Sequence, residues 1–259
     1  MSRNKNFVVH SDTAICGIRK AAIAAASVKM QLASMIRPGM STKEIDVLAA
    51  TLIAKTGGRS AFLGYRNYPG QICISVNDEV VHGIGSEQRI VVPGDVLSLD
   101  IGVTLDGYIG DNAITIVVGN LPSLPPDIER LLEGTKLALD NAIKECIPGN
   151  RIRNISNAVE QTAKKYQLSV VREYVGHGCG EELHEPPEIP NYVMRNPGPM
   201  LRPGMVLAIE PMLNLGKRNV TTDNDGWTVR TKDGKISAHF EHMVLITDKL
   251  PEILTWQKM

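Results

Sequence analysis

The feature that most constrains this chain is an eight-residue phrase that occurs twice. PGDVLSLD ends at Asp100 and PGMVLAIE ends at Glu210, so Pro93 and Pro203, like Asp100 and Glu210, stand 110 residues apart. Pro38-Gly39 recurs at the same offset as Pro148-Gly149, each just before a helix-like stretch. Three landmarks sharing one offset mark an internal duplication. Each copy passes from a Pro-Gly turn into an apolar strand that ends in a carboxylate. A carboxylate closing a buried strand is costly unless a charge partner or a metal compensates it. Two of them related by a pseudo-twofold axis predict a metal site at the centre of one domain.

That reading makes the 259 residues a single domain, 1–259, with pseudo-symmetric halves of about 12–118 and 127–247 sharing one core. Lys+Arg and Asp+Glu both total 28, so the net charge of zero carries no nucleic-acid or membrane-surface footprint. Cys16, Cys73, Cys146 and Cys179 form no Cys-x-x-Cys pair. Their scatter tells against a disulfide framework or a cysteine zinc finger and favours a reducing compartment, hence the cytoplasm. Arg3 and Lys5 precede no continuous apolar run, and no segment approaches the roughly 20 apolar residues that span a bilayer. A soluble protein with no membrane partner is expected.

Residues 12–36 carry Ile15, Ile18, Ala22, Ala25, Leu32, Met35 and Ile36 at mostly helical intervals, with Ser11 or Asp12 as cap and Pro38-Gly39 as stop. A second helix begins at Ser41 with Glu44 completing a capping box, buries Ile45, Leu48, Leu52 and Ile53, and ends at Gly57-Gly58. The period then falls towards two. Ile72, Ile74 and Val76 alternate up to the Asn77-Asp78 break, with His82 following in VVHGIG. Strand 96–102, the turn around Asp106-Gly107 and a return strand from Tyr108 to Val118 make a hairpin. GNLPSLPP, 119–126, links the halves. Helices over about 127–146 and 152–167 and strands over 169–175, 205–213, 226–231 and 238–247 repeat the pattern. Two helices followed by strands, twice over, predict an α+β fold: a pseudo-twofold duplicated antiparallel sheet covered by helices.

If Asp106-Gly107 is a two-residue turn, Asp111 lies opposite Gly102 and diagonal to Asp100, on the same face. Diagonal neighbours have Cβ atoms about 7–8 Å apart, so the two carboxylates can share cations, with Gly102 leaving the space between them open. Two bare carboxylates this close would raise one another's pKa, which a divalent metal reverses. His177 sits between glycines in YVGHGCG, and glycine there permits close backbone approach. Glu241, in HFEHMVLI, is a second inward acid that wants a partner; His239 shares its parity and ranks below His177 as a ligand, and His10 is expected at the surface. His184-Glu185-Pro186-Pro187-Glu188 is no zincin motif, because its fifth residue is Glu and its prolines forbid a helix. Asp100, Asp111, His177, Glu210 and Glu241 thus form an oxygen-rich set with one imidazole. Such a set suits two divalent ions, Mn, Fe(II) or Co better than a closed structural zinc.

The order and local strings of this set resemble the methionine aminopeptidases of the simple bacterial type I form, over about residues 12–250. The most specific stretch is GHGCGEELHEPPEIPNY, residues 176–192. The resemblance implies the pita-bread (creatinase/aminopeptidase) fold and removal of an initiator methionine when the second residue is small. It implies that Asp100, Asp111, His177, Glu210 and Glu241 bind two divalent ions, Co, Mn, Fe(II) or Zn. Glu210 would also accept a proton, with His82 and His184 contacting the substrate. The methionine pocket maps onto Phe62, Tyr65, Tyr68, Cys73, Leu183 and Trp227. Phe62 and Leu183 depart from the commonest bacterial form, where a small Cys and an aromatic are frequent. Partners implied are peptide or nascent-protein N-termini, with a ribosome contact left open, and the monomer is the expected state. The spacing of these motifs implies no type II helical insertion, and an N-terminal zinc-finger extension is not expected. The start Met1-Ser2-Arg3 would itself be a substrate, leaving Ser2 first. Two rivals are a proline-specific (Xaa-Pro) peptidase of the same fold, which usually carries an extra N-terminal domain, and a non-catalytic peptide-binding module, which would lose ligands that this chain retains.

Overall fold

The computed structural model describes residues 6–256, so the expectations on Met1, Ser2, Arg3 and Lys5 lie outside the described residues. Helix α1, Asp12–Met35, opens where the Ser11 side chain accepts the Ala14 N–H at 3.2 Å. It buries Ile15, Ile18, Ala22, Ala25 and Leu32. Met35, expected inside, is 44% exposed: the helix ends there, and it is the extended Ile36 that turns inward. Helix α2, Thr42–Lys55, carries a complete capping box between Ser41 and Glu44, worth about 1 kcal/mol. Leu48, placed among its buried residues by periodicity, is only half-buried.

The strands of the first half are β1 (Arg59–Ser60), β2 (Cys73–Val76), β3 (Glu79–Val81), β4 (Val96–Leu105) and β5 (Tyr108–Val117). After α3 (Pro126–Lys144) and α4 (Ile152–Lys165) come β6 (Ser169–Val170), β7 (Gly176–Gly178), β8 (Glu185–Ile189), β9 (Val206–Ile209) and β10 (Met212–Asn214). The chain closes with β11 (Val220–Thr222), β12 (Val229–Thr231), β13 (Ser237–His239), β14 (His242–Leu245) and β15 (Glu252–Ile253). Among the described residues every pairing of these strands is antiparallel. Among the described residues no helix is long and apolar enough to cross a membrane.

Hydrogen bonding recurs at the 110-residue offset. Helices α2 and α4 both have 14 residues and begin at 42 and 152. The isolated bridge Ser41–Ile90 has its counterpart in Arg151–Met200. Arg59 pairs with Thr104 as Ser169 pairs with Asn214. Gly94 and Gly204, in the two copies of the phrase, both hold a left-handed φ, of 93° and 87°, which glycine adopts without a Cβ penalty.

The β4–β5 hairpin has the expected register, with Gly102 opposite Asp111 and Asp100 opposite Ala113. Its turn residues Asp106 and Gly107 are left-handed at φ 52° and 83°, the geometry a two-residue hairpin turn demands. The second hairpin differs from its expected continuous strands. Ile209 pairs with His242 and Met212 with His239, so the shared register sets Glu210 opposite Glu241 in a gap of the ladder. Pro211 has no N–H to offer there, and the Glu241 N–H bonds instead to the Ala113 carbonyl at 3.1 Å. That bond joins the two hairpins at their centres.

Strand lengths read from periodicity also need correction. The span 169–175 is strand only at 169–170, and 226–231 only at 229–231. Strands β1, β3, β7, β8, β11 and β15 lie outside the expected strands. They are two to five residues long, too short for alternation to register. One apolar cluster lies between α1, α2 and the β2–β4 sheet, and a second between α3, α4 and β9–β10. A third, containing Phe62, Tyr68, Cys73, Leu183 and Met243, lies around the site.

Candidate metal centre and its pocket

A cavity of about 260 Å³ opens beside the hairpin junction. Phe62, Tyr65, Tyr68, Cys73, His82, Asp100, Asp111, His177, Leu183, His184, Glu210, Trp227 and Glu241 all line it. All five residues of the expected ligand set, both substrate histidines and the six pocket residues are therefore on one wall or another, whereas His239, the lower-ranked candidate, is not among the lining residues. Arg66, Val81, Glu173, Tyr174 and Val175 line it as well and were not anticipated. Tyr174 meets the His82 ring edge-on at 5.2 Å; its place just before the Gly-His-Gly motif was the only available signal.

The acids converge from different elements. Asp100 and Asp111 come from the two strands of the β4–β5 hairpin, Glu210 follows β9 and Glu241 precedes β14. Ligand atoms of Asp111, His177 and Glu241 lie within 4.8 Å of one another. His177 is held on β7 by its glycines: a Cβ on Gly176 would stand 2.5 Å from the Ala208 carbonyl, and one on Gly178 2.6 Å from the Pro186 carbonyl. Its Nδ1 bonds to the Gly178 carbonyl at 2.9 Å, which turns Nε2 to within 3.2 Å of Glu210 Oε1. Anchoring one imidazole nitrogen to the backbone orients the other as a ligand. The space over Gly102 is not open, as expected, but holds the Phe62 ring, which a Cβ would meet at 2.4 Å.

Buried oxygens test whether a cation fits. Asp100 Oδ1, Asp111 Oδ1 and Glu241 Oε1 are out of solvent and accept no hydrogen bond. Burial, then Asp111 and Glu210, push Asp100 well above the carboxylate range, and burial with Asp111, Glu210 and Asp100 does the same to Glu241. Asp111 rises to about 7, chiefly by burial, with Glu210 adding to it. Burial opposes the charge on His177, yet Glu210 and Asp111 raise it to about 9. Buried, crowded acids that each keep an unbonded oxygen are what a divalent cation stabilises, and this donor set fits one.

The two remaining pocket histidines are held neutral. Burial lowers His82 to about 4, and burial with the neighbouring His177 lowers His184 to about 3. His184 Nδ1 contacts the Tyr65 hydroxyl at 2.8 Å. His10, expected at the surface, is buried with Nε2 3.1 Å from Glu185 Oε2. Glu185 Oε1 also accepts the N–H groups of Glu181 and Glu182. The segment before α1 thereby clasps the loop that presents Leu183 and His184, a long-range contact with no local sequence signal.

These shifts carry a pH prediction for the metal-free protein. For Asp100, Asp111 and Glu241 the folded pKa lies above the unfolded value near 4. Each therefore stabilises the fold at low pH and loses that contribution as pH rises through its folded pKa. His177, also raised, acts in the same direction from about 6.5 upward. The depressed histidines are neutral in both states above that pH. The Tm without metal is expected to fall between pH 6.5 and 8, and a saturating divalent cation to remove most of the slope. A Tm that rises over this interval in the metal-free protein would mean the carboxylates are solvated.

The profile of metallopeptidase family M24 matches residues 16–248. The chain is 44% identical over 255 residues to a methionine aminopeptidase of Aquifex aeolicus, covering 95% of this chain and 98% of that one. It is 51% identical over 225 residues to methionine aminopeptidase 1 of Bacillus subtilis, covering 87% and 89%. The crystal structure of a methionine aminopeptidase from Thermotoga maritima superposes with a TM-score of 0.93 at 38% identity, covering 97% of this chain and 100% of that one. A prolidase from Pyrococcus furiosus shares the fold at a TM-score of 0.77 and 24% identity, and this chain spans 66% of its length.

Proposed function

This chain belongs to metallopeptidase family M24, and we propose that it removes the N-terminal methionine from peptides and nascent proteins whose second residue is small. The observation that carries the reading is the convergence of three unbonded, buried acid oxygens and the His177 imidazole on a cavity lined by aromatic and aliphatic side chains. The metallopeptidase family and the Asp111–His177–Glu241 cluster account for a metal site. We assign Asp100, Asp111, His177, Glu210 and Glu241 as ligands of two divalent ions drawn from Co, Mn, Fe(II) and Zn. Bound there, such ions supply Lewis acidity: they acidify water and stabilise negative charge on a hydrolysed carbonyl.

The side chains divide the remaining work. Glu210, whose Oε1 faces His177 Nε2 at 3.2 Å, would take a proton from the attacking water and pass it to the leaving amine. His184 is neutral, and with the Tyr65 hydroxyl donating to Nδ1 its Nε2 carries the hydrogen and donates to the scissile carbonyl oxygen. His82, also neutral, faces the leaving nitrogen. A substrate α-amino group, with a pKa near 8, would be available in its neutral form to the metal site, and that contact would confine the reaction to chain termini. The six residues Phe62, Tyr65, Tyr68, Cys73, Leu183 and Trp227 enclose the methionine side chain. Residues 1–259 act as one catalytic domain of two pseudo-symmetric halves, working as a monomer in the cytoplasm on nascent chains.

Hydrolysis of Met-Ala-Ser against Ala-Pro peptides, with Mn, Fe(II), Co and Zn in turn, tests the reaction. Release of methionine with at least one metal is expected; preferential cleavage of Ala-Pro would replace this reading with a proline-specific one. His184→Ala separates donor from ligand. It is expected to lower kcat by about 10²-fold, the usual effect of losing one such donor, while leaving the Mn affinity within threefold. Equal loss of both in a metal titration would make His184 a ligand.

A further inference from the structure

The function described leaves one buried group at the site unused. His239 is 1% exposed, and its Nε2 has no hydrogen-bond partner. It lies 3.7 Å from Glu210 Oε2, just beyond hydrogen-bond range. Its backbone is fixed on both sides, since its N–H donates to Thr115 Oγ1 at 2.8 Å and its carbonyl accepts the same hydroxyl at 2.7 Å. The ring therefore has little freedom except about its own side-chain torsions.

Symmetry gives this position meaning. In the first hairpin the residue two after Asp100 is Gly102, whose cross-strand partner is Asp111. In the second, the residue two after Glu210 is Met212, whose cross-strand partner is His239. His239 thus stands to Glu210 as Asp111 stands to Asp100: diagonal, on the same face, aimed at the same centre. Among the described residues the cluster of ligand atoms within 4.8 Å contains Asp111, His177 and Glu241 but not His239. Its place is beside a ligand.

We propose that His239 is a positioning residue for Glu210, its Nε2–H closing onto Oε2 and fixing the plane of that carboxylate. Glu210 is then bracketed by two imidazoles, with His177 Nε2 facing Oε1 at 3.2 Å and His239 facing Oε2. A bare lone pair on Nε2 opposite a carboxylate oxygen would be repulsive, so the hydrogen must sit on Nε2. The consequence is that Oε1 stays directed toward the metal side and Oε2 is not free to swing. Partners of metal ligands commonly contribute 10–100-fold to affinity or activity when removed.

This inference rests on Glu210 being a metal ligand, and the experiment separates the two claims. Mn(II) binding is measured by calorimetry on metal-free wild type, His239→Gln and His239→Leu, beside the Tm of each metal-free protein. His239→Gln keeps an N–H donor and is expected to stay within about threefold of wild type. His239→Leu removes the donor and is expected to weaken Mn(II) by at least about tenfold, with Tm unchanged or raised because no unpaired polar atom remains. His239→Met serves as the donor-less variant if the leucine protein does not fold. Wild-type affinity in the donor-less variant overturns the inference, as does equal weakening in His239→Gln. Failure of wild type itself to bind Mn(II) would overturn the metal reading together with it.

Discussion

Asp111→Asn is expected to lower kcat/KM for Met-Ala-Ser by roughly 10³-fold at matched metal while the fold survives. The magnitude follows from losing a ligand to ions that supply several kcal/mol of transition-state stabilisation, at about 1.4 kcal/mol per decade of rate. Structural damage is not expected, because Asp111 Oδ1 makes no hydrogen bond within the protein. Asn has the same shape and carries no charge, so the charge that burial and then Glu210 disfavour, lifting Asp111 to about 7, is no longer present. Asp100 and Glu241, each pushed up partly by Asp111, should relax as well. The metal-free mutant is thus predicted to melt at or above the wild-type temperature at pH 8. Activity near wild type would remove Asp111 from the site. A Tm lowered in step with activity would instead make it a structural residue.

The opposed signs of those two effects express how the site relates to the fold. Four acids in one cavity cost the metal-free chain stability, and the cost is concentrated where the two hairpins meet. The backbone bond from Glu241 N–H to Ala113 and the two bonds between the Thr115 hydroxyl and the His239 backbone connect the hairpins at that seam. They hold the acids together without satisfying their side chains. Function is in this sense stored as unpaired charge on a rigid frame.

The parts of this arrangement that were legible in the sequence are those governed by local rules. Asp106-Gly107 dictates a two-residue turn, and from that turn the register of every residue in the β4–β5 hairpin follows, including the Asp100–Asp111 diagonal. The capping box at Ser41 and Glu44 and the Ser11 cap are equally local. The 110-residue offset extended one local reading to a second place in the chain. What escaped depended on contacts distant in sequence. His10 is polar and near the start, and only its meeting with Glu185 makes burial tolerable. Phe62 fills the slot over Gly102 from a loop with no periodic signal. The break at Glu210-Pro211 was written in the proline, yet apolar alternation across 205–213 masked it. The same break hid the relation between Asp111 and His239, which only the paired registers reveal.

The pocket makes the second large prediction: Val-Ala-Ser should be cleaved with kcat/KM at least about 100-fold below that of Met-Ala-Ser, with norleucine within about tenfold of methionine. Two contributions lead to the first figure. Valine fills less of the cavity, and one missing methylene equivalent at about 0.8 kcal/mol accounts for some fourfold. Its branch at Cβ then adds bulk beside the amine, where the walls have no room to yield. Tyr68 is pinned by hydrogen bonds from its hydroxyl to the carbonyls of Ile72 and Gly83 at 3.1 and 2.8 Å, and its ring meets Trp227 edge-on at 5.1 Å. Phe62 is wedged over Gly102, and Leu183 is buried. Norleucine keeps the unbranched shape of methionine and loses only the sulfur–aromatic contact, worth about 0.3–1.5 kcal/mol. Comparable kcat/KM for valine and methionine would move the specificity pocket away from these side chains. A loss for norleucine as large as for valine would show that the sulfur, rather than the unbranched shape, is what the walls select.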